Sequence, residues 1–128
     1  FDPLVTVTGY VTNMDSYMRA ADIMVTKAGP GTLAEACILG LPVIMSSYLP
    51  GQEAGNLKLV EEQGWGEYLS EFEEIGFRIE QWLGDEALVR DMGERARAAS
   101  DRTATTRIAQ EIGDLCMQRF EERKQEVK

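Results

Sequence analysis

The sequence predicts an α/β fold built on a parallel sheet with flanking helices. Short β-branched or apolar runs alternate with segments of helical hydrophobic spacing, in the order strand, helix, strand, helix, strand, helix. Glycines follow several of these segments, as is common where strands and helices end. The chain has 128 residues, of which 44% are apolar, and that is enough for one domain with a buried core.

The predicted strands are short, and glycine or polar residues bound them. The run Leu-Val-Thr-Val-Thr before Gly9 predicts the first, and the apolar run after Asp22 predicts a second that is buried in the sheet. Pro42 suits the first residues of a third strand. The predicted strands cover residues 4–8, 22–26 and 41–45, with residues 66–69 as a short fourth candidate.

Helical spacing fills most of the remaining sequence. Gly40 and Gly64 mark the ends of two predicted helices, and the three later segments are amphipathic. The predicted helices cover residues 13–21, 32–39, 53–63, 72–83, 88–96 and 108–120. We expect residues 1–120 to form one lobe that lacks its first strands, because such sheets usually have five or six. Residues 121–128 are predicted to be a polar C-terminal tail.

Charge and residue types narrow the function. The net charge of −9 argues against nucleic-acid binding, which needs a basic surface. Ten acidic and two basic residues fall within residues 52–86, which indicates either solvated helix faces or a surface for a basic partner. The sequence has no histidine, and its two cysteines have no metal-binding spacing. Cys37 and Cys116 both lie in amphipathic helical segments and are predicted to be buried free thiols.

The turn after the second strand is the first candidate binding site. It has the sequence Lys-Ala-Gly-Pro-Gly-Thr and opens a helix, whose first N–H groups suit a phosphate. Gly29 and Gly31 allow close approach of the backbone and positive φ angles, and Thr32 adds a hydroxyl donor. Glu35, one turn further on, is placed to reach ligand hydroxyls. On the residues alone, a plain strand-to-helix turn explains the glycine loop equally well, and an ordinary first-turn glutamate is the preferred explanation of Glu35.

The loop after the third strand is the second candidate. Residues 50–56 read Pro-Gly-Gln-Glu-Ala-Gly-Asn, which brings Gln52, Glu53 and Asn56 close together. Amide and carboxylate groups of this kind pair with sugar hydroxyls. A helix N-terminus with a first-turn acid is the alternative explanation.

These motifs together resemble the C-terminal lobe of the monogalactosyldiacylglycerol (MGDG) synthases. That family is related to the bacterial diacylglycerol glucosyltransferases and to the lipid II-forming transferase MurG. The combination of TKAGPGT with GQEAGN favours the galactolipid branch, because the loops of MurG differ at both places. The resemblance extends over about residues 5–69, through the stretches VTGYV, ADIMVTKAGPGTLAEA, GLPVI and GQEAGN.

The resemblance implies a GT-B glycosyltransferase, in which two Rossmann-like lobes face each other across a cleft and the C-terminal lobe holds UDP-galactose. By position, Tyr10 and Val11 would present backbone groups to the uracil. Glu35 would bind the ribose. The diphosphate would lie on Gly29, Pro30, Gly31 and Thr32. The sugar would contact Gln52 and Glu53, with Asn56 supporting their loop.

The implied reaction is that of a hexosyltransferase of the 1,2-diacylglycerol 3-beta-galactosyltransferase type. No cofactor or metal is expected, and Lys27 is either a substitute for a metal cation or an ordinary surface lysine. The family's N-terminal lobe supplies the catalytic base and the surface for diacylglycerol, so no catalytic residue is expected here and the chain alone should be inactive. The implied location is the chloroplast envelope or thylakoid membrane, by peripheral association, or the cytoplasmic face of the membrane in a bacterium.

Two other functions remain open. The chain would also suit a transferase-derived structural or assembly module of a larger complex, although retention of both loops counts against that. A different nucleotide-sugar enzyme of the same fold, such as a 2-epimerase or a sterol glycosyltransferase, is the other alternative. UDP-galactose and UDP-glucose are not distinguished by these residues.

Overall fold

The computed structural model describes residues 4–126, with side chains to residue 124, and confirms the predicted α/β fold. Within that range, helices flank a three-stranded parallel sheet. Helices and strands alternate up to the third strand, and three helices in succession follow it. In chain order they are α1 (Met14–Ala20), β1 (Met24–Lys27), α2 (Pro30–Leu39), β2 (Val43–Ser47), α3 (Ala54–Glu62), β3 (Gly66–Tyr68), α4 (Phe72–Leu83), α5 (Glu86–Ala99) and α6 (Ala104–Glu126).

The strand β2 is the centre of the sheet and separates two apolar cores. It pairs with β1 on one side and with β3 on the other. Val43 and Met45 point into the core beneath α2 and α3, whereas Ile44 points into a second core. The second core contains Ile75 and Trp82 of α4 and Met92 of α5. Alternate residues of a strand face opposite sides, so helices cover β2 on both faces.

The predicted first strand, over residues 4–8, is wrong. Residues 5–11 run as irregular chain, and Leu4 and Val7 are 90% and 74% exposed. The β-branched composition favours a strand, but a strand needs a pairing partner and an apolar surface to pack against. In the structure this segment lies in solvent and is not part of the sheet.

The strand β1 is also less buried than its apolar sequence predicts. It forms one edge of the three-stranded sheet, and its residues alternate between half-buried and exposed. Val25 pairs in register with Ile44, which is fully buried, yet Val25 itself is 44% exposed. The helices that cover Ile44 therefore do not reach the edge strand.

The helix α2 has well-defined ends. It begins at Pro30, two residues before the predicted start, because proline suits the first helical position, where the N–H would have no helical partner. It ends at Gly40, which has a φ of 71° and donates its N–H to the carbonyls of Ala36 and Cys37. This left-handed conformation favours glycine, as the sequence predicted.

The two cysteines lie in different environments. Cys37 is buried, and its thiol donates to the carbonyl of Ala96, 2.9 Å away. Burial raises the pKa of this thiol. Cys116 is exposed on α6, so the prediction that both thiols are buried is wrong for this residue. The amphipathic pattern around Cys116 does not correspond to a packed face, since residues 105–124 of α6 are all exposed.

The last helix continues beyond the predicted lobe boundary. α6 runs from Ala104 to Glu126 and crosses the boundary that we predicted between residues 120 and 121. The described part of the predicted polar tail is therefore helical, and residues 127 and 128 lie outside the described residues. Within residues 4–126, no helix combines the length and the hydrophobicity needed to cross a membrane.

Candidate functional site

Two loops meet at the carboxyl edge of the sheet. β1 ends at Lys27 and β2 at Ser47, and because these strands are parallel their following loops leave from the same edge. The N–H of Ala28 donates to the carbonyl of Ser47 at 2.8 Å, which joins the two loops at their start. Ligands of open α/β sheets bind at this edge. The structure thus brings residues 27–32 and 50–56 to one edge of the sheet, and their role in binding stays a prediction.

The first loop presents the N-terminus of α2. Its first helical hydrogen bond runs from the N–H of Leu33 to the carbonyl of Gly29, so the N–H groups of Gly31 and Thr32 precede the helical ladder. Gly29 has a φ of −71°, and positive φ occurs instead at Gly40, Gly51 and Gly64. Gly29 and Gly31 therefore do not use the positive φ angles that we expected. A Cβ at Gly29 would lie 3.2 Å from Lys27 Nζ, so a side chain there would press on the end of this lysine.

An ion pair connects the two loops. The ammonium of Lys27 donates to Glu53 Oε1 at 2.5 Å, and the N–H of Leu49 donates to Glu53 Oε2 at 2.8 Å. Both carboxylate oxygens are therefore engaged, and Glu53 is only 6% exposed. The bond from Lys27, and then the bond from Leu49, hold the pKa of Glu53 below its usual value. Glu53 is consequently a carboxylate at neutral pH.

A second side chain connects the loops from α3. Asn56 donates its side-chain amide to the carbonyl of Ala28 at 2.8 Å. We expected Asn56 to support the loop in which it lies, and in the structure it anchors the neighbouring loop just before Gly29. Glu53 and Asn56 thus bind two consecutive residues, Lys27 and Ala28, at the start of the first loop.

A cavity of about 360 Å³ lies beside Glu35, between α1 and α2. Thr12 and Asp15 contribute polar groups to its wall, and the remaining lining is apolar: Met14, Met18, Ile38 and Leu39. Tyr10 and Val11 immediately precede this wall; Tyr10 is 98% exposed and Val11 is half-buried. The cavity therefore connects the segment after Val11 with the exposed carboxylate of Glu35.

Residues 2–112 match the model of the glycosyltransferase family 28 C-terminal domain. The chain belongs to this glycosyltransferase family. Its similar relatives include the chloroplastic MGDG synthase of Spinacia oleracea, which is 41% identical over 117 residues, or 91% of this chain and 22% of that protein. MGDG synthase 1 of Arabidopsis thaliana is 48% identical over 80 residues, or 62% of this chain and 15% of that protein.

A solved structure supports the fold assignment of the family 28 domain. MurG of Acinetobacter baumannii superposes with a TM-score of 0.74 and 20% identity, over 85% of this chain and 33% of that chain. At this identity the likeness shows the fold alone. The chain spans about a fifth of the length of the curated relatives that it matches, and a third of MurG, so it corresponds to part of a GT-B lobe. The sequence identities to the MGDG synthases confirm the predicted resemblance to that family.

The family 28 domain brings most of the predicted site residues to one edge of the sheet. Gly29, Pro30, Gly31 and Thr32 form the start of α2, and Glu35 follows one turn later on the same helix. Glu53 and Asn56 contact the preceding turn, whereas Gln52 is exposed beside them. Tyr10 and Val11 do not line the cavity and directly precede Thr12, which does.

Two features were missed in the sequence. Thr12 lines the cavity with Glu35, and its position directly after Val11 was the available signal. The pairing of Lys27 with Glu53 was the other, since these opposite charges are 26 residues apart. Lys27 is the last residue of β1 and Glu53 lies in the loop after its parallel neighbour β2, so the topology would have suggested their proximity.

Proposed function

We propose that this chain is the donor-binding lobe of a UDP-sugar-dependent glycosyltransferase that transfers galactose from UDP-galactose to diacylglycerol. The observation that supports it most is the joined pair of loops at the carboxyl edge, in a domain of glycosyltransferase family 28. The galactolipid assignment follows the names of relatives that are about 40% identical over 90% of the chain.

The nucleoside would occupy the space beside α1 and α2. Glu35 is exposed and faces the cavity that Thr12 also lines, so its carboxylate is available to accept hydrogen bonds from ribose hydroxyls. Backbone groups of Tyr10 and Val11 would pair with the uracil at the open side of this space. The assignment needs no large rearrangement of α2, because Glu35 and the phosphate loop lie on the same helix.

The diphosphate would lie at the N-terminus of α2. The N–H groups of Gly31 and Thr32 precede the first helical bond and point where the helix dipole favours negative charge. Gly29 and Pro30 complete the turn and leave room for the ligand. Charge builds on UDP as it leaves the anomeric carbon, and donors that are already in place stabilise this charge without reorganisation.

The sugar would lie toward the second loop. Gln52 is exposed there, and its amide offers both donor and acceptor groups to sugar hydroxyls. We propose that Glu53 also accepts a hydrogen bond from the sugar. Its two carboxylate oxygens would then bind a sugar hydroxyl in addition to Lys27 and the N–H of Leu49. Galactose and glucose differ in the orientation of one hydroxyl group, so a binding comparison must decide between the two donors.

The remainder of the enzyme would supply the acceptor side. We propose that a second lobe contributes the catalytic base and the surface for diacylglycerol, and that the whole protein associates peripherally with a chloroplast membrane. By this proposal the chain binds a donor but does not catalyse transfer alone.

The test is a calorimetric titration of the chain with UDP, together with its Glu35→Ala variant. The variant removes a charged partner of the ribose, so affinity should fall on the order of tenfold to a hundredfold. Glu94→Ala is the matched control, because Glu94 is an exposed acid on α5 and lies outside the proposed site. This control should bind UDP like the wild-type chain.

Saturable binding that weakens only in Glu35→Ala would support the donor site and lead to a comparison of UDP-galactose with UDP-glucose. Equal loss in both variants would contradict the role of Glu35. If the wild-type chain gives a folded circular dichroism spectrum and binds no UDP, the proposed donor site is wrong. The alternative of a transferase-derived assembly module would then be preferred.

A further inference from the structure

We propose that the ammonium of Lys27 binds the diphosphate of the donor, and that Glu53 is a positioning residue that holds Lys27 at the start of α2. This inference rests on the proposed function and deepens it. It gives Glu53 a role that acts through Lys27, in addition to the sugar contact proposed above.

Lys27 Nζ lies directly beside the turn that would hold the phosphates. It is 3.2 Å from the point where a Cβ of residue 29 would stand, and Gly29 is the residue that caps α2. The N–H groups of Gly31 and Thr32 follow in the same turn. An anion bound to these N–H groups would therefore lie close to the ammonium, and both would attract it.

The buried carboxylate of Glu53 holds the ammonium of Lys27 in this position. It is buried, and its second oxygen accepts the N–H of Leu49 at 2.8 Å, so the carboxylate cannot turn away without losing that bond. The side chain of Lys27 is 62% exposed while that of Glu53 is 7% exposed. The pair thus directs its negative member into the protein and its positive member toward the ligand.

The ammonium retains donors for a ligand. A lysine has three N–H donors, and one of them goes to Glu53 Oε1. A freely rotating lysine would lose conformational entropy on binding a phosphate, whereas one that Glu53 already holds loses less. The alternative is that the ion pair only bridges the loops, in which case its loss would lower the stability of the fold and affect all ligands alike.

The experiment compares UDP with uridine in the full chain. UDP affinity is measured by calorimetry and uridine affinity by NMR titration, for the wild type, Lys27→Met, Lys27→Arg and Glu53→Gln. Lys58→Met and Glu62→Gln are matched controls, because Lys58 and Glu62 also form an ion pair, on the exposed side of α3. Thermal unfolding of each variant confirms that the chain is folded at the titration temperature.

Lys27→Met should weaken UDP binding on the order of tenfold to a hundredfold and leave uridine binding unchanged. Lys27→Arg should recover most of the UDP affinity, since it restores the positive charge. Glu53→Gln should weaken UDP binding less than Lys27→Met and again leave uridine binding unchanged. The two controls should match the wild type for both ligands.

Two results would overturn the inference while the proposed function stands. One is UDP binding that Lys27→Met leaves unchanged, and the other is an equal loss of UDP and uridine affinity, which the bridging role predicts. If Glu53→Gln does not fold, the comparison of Lys27→Met with Lys27→Arg decides the question. Failure of the wild-type chain to bind UDP would contradict the proposed function and this inference together.

Discussion

Replacing Gly66 by alanine tests how closely β3 packs against the centre of the sheet. A Cβ at this position would lie 2.4 Å from the carbonyl oxygen of Val43, 2.6 Å from Val60 Cγ1 and 2.7 Å from Val43 Cγ2. The nearest of these atoms belongs to the backbone of β2, which is buried between two helical layers. It cannot move aside as the end of a flexible side chain would.

The size of the effect follows from these distances. Relieving the contact with Val43 requires a shift of roughly half an ångström or more, and overpacking of this kind costs about 1–3 kcal/mol. Alanine also restricts the unfolded chain, which offsets about 0.4–1 kcal/mol. The difference of these two ranges is about 0–2.6 kcal/mol, and because three atoms lie within 2.7 Å of the added Cβ we expect Gly66→Ala to lower the free energy of unfolding by about 1.3–2.6 kcal/mol, the upper half of that range. Gly76→Ala should raise it by about 0.5–1 kcal/mol, because Gly76 lies in the middle of α4 and its Cβ would meet nothing within 4 Å.

Urea denaturation followed by tryptophan fluorescence measures both variants, since Trp65 and Trp82 are buried and report the two cores. With a slope of about 1–3 kcal/mol per molar urea, the two midpoints should move by measurable amounts in opposite directions. A Gly66→Ala midpoint equal to or above that of the wild type would refute the packing of β3 against β2. Equal shifts in both variants would show that the substitution acts through the unfolded chain alone.

Two further predictions concern ionisable and reactive groups. At pH 8 a maleimide should label Cys116 within minutes and Cys37 only in urea. Cys116 is exposed, whereas burial both covers the Cys37 thiol and raises its pKa. Rapid labelling of two thiols in the native chain would contradict this prediction. The free energy of unfolding should change little between pH 7 and pH 5 and decline below the ordinary carboxyl pKa. Bonds from Lys27 and then Leu49 lower the pKa of Glu53. Bonds from Thr103 and then Arg107 lower the pKa of Asp101. A lowered folded-state pKa means that the unfolded chain takes up protons first as the pH falls, so the stabilisation is lost on acidification. Urea midpoints at pH 7, 5, 4 and 3 measure the decline, and an increase below pH 5 would contradict it.

Local signals in the sequence located the elements that form the site. Pro30 and Gly40 have backbone restrictions of their own, so they mark the ends of α2 whatever surrounds them. A short apolar run that opens with Pro42 likewise identified β2, and the order of strands and helices indicated that the two loops share one edge. The residues of both loops were therefore predictable, although their roles in binding stay predictions.

Other features depend on groups that are distant in sequence. Residues 4–8 have a strand's composition and still run as irregular chain, because pairing and burial decide whether a strand forms. The exposure of Cys116 depends on whether anything covers α6, which its own periodicity does not reveal. The link between Lys27 and Glu53 likewise appears only when β1 and β2 lie side by side.

The sequence by itself determined the fold class, the end of α2 at Gly40 and the two loops at the sheet's edge, because the preferences of glycine and apolar periodicity act over a few residues. Tertiary structure decided which strand pairs, which thiol is covered and which charges meet. Each of these outcomes depends on contacts between segments that are distant in the sequence. Glu53 shows the difference most clearly: its sequence position suggests a sugar ligand, and its burial beneath Lys27 shows a carboxylate that joins two loops.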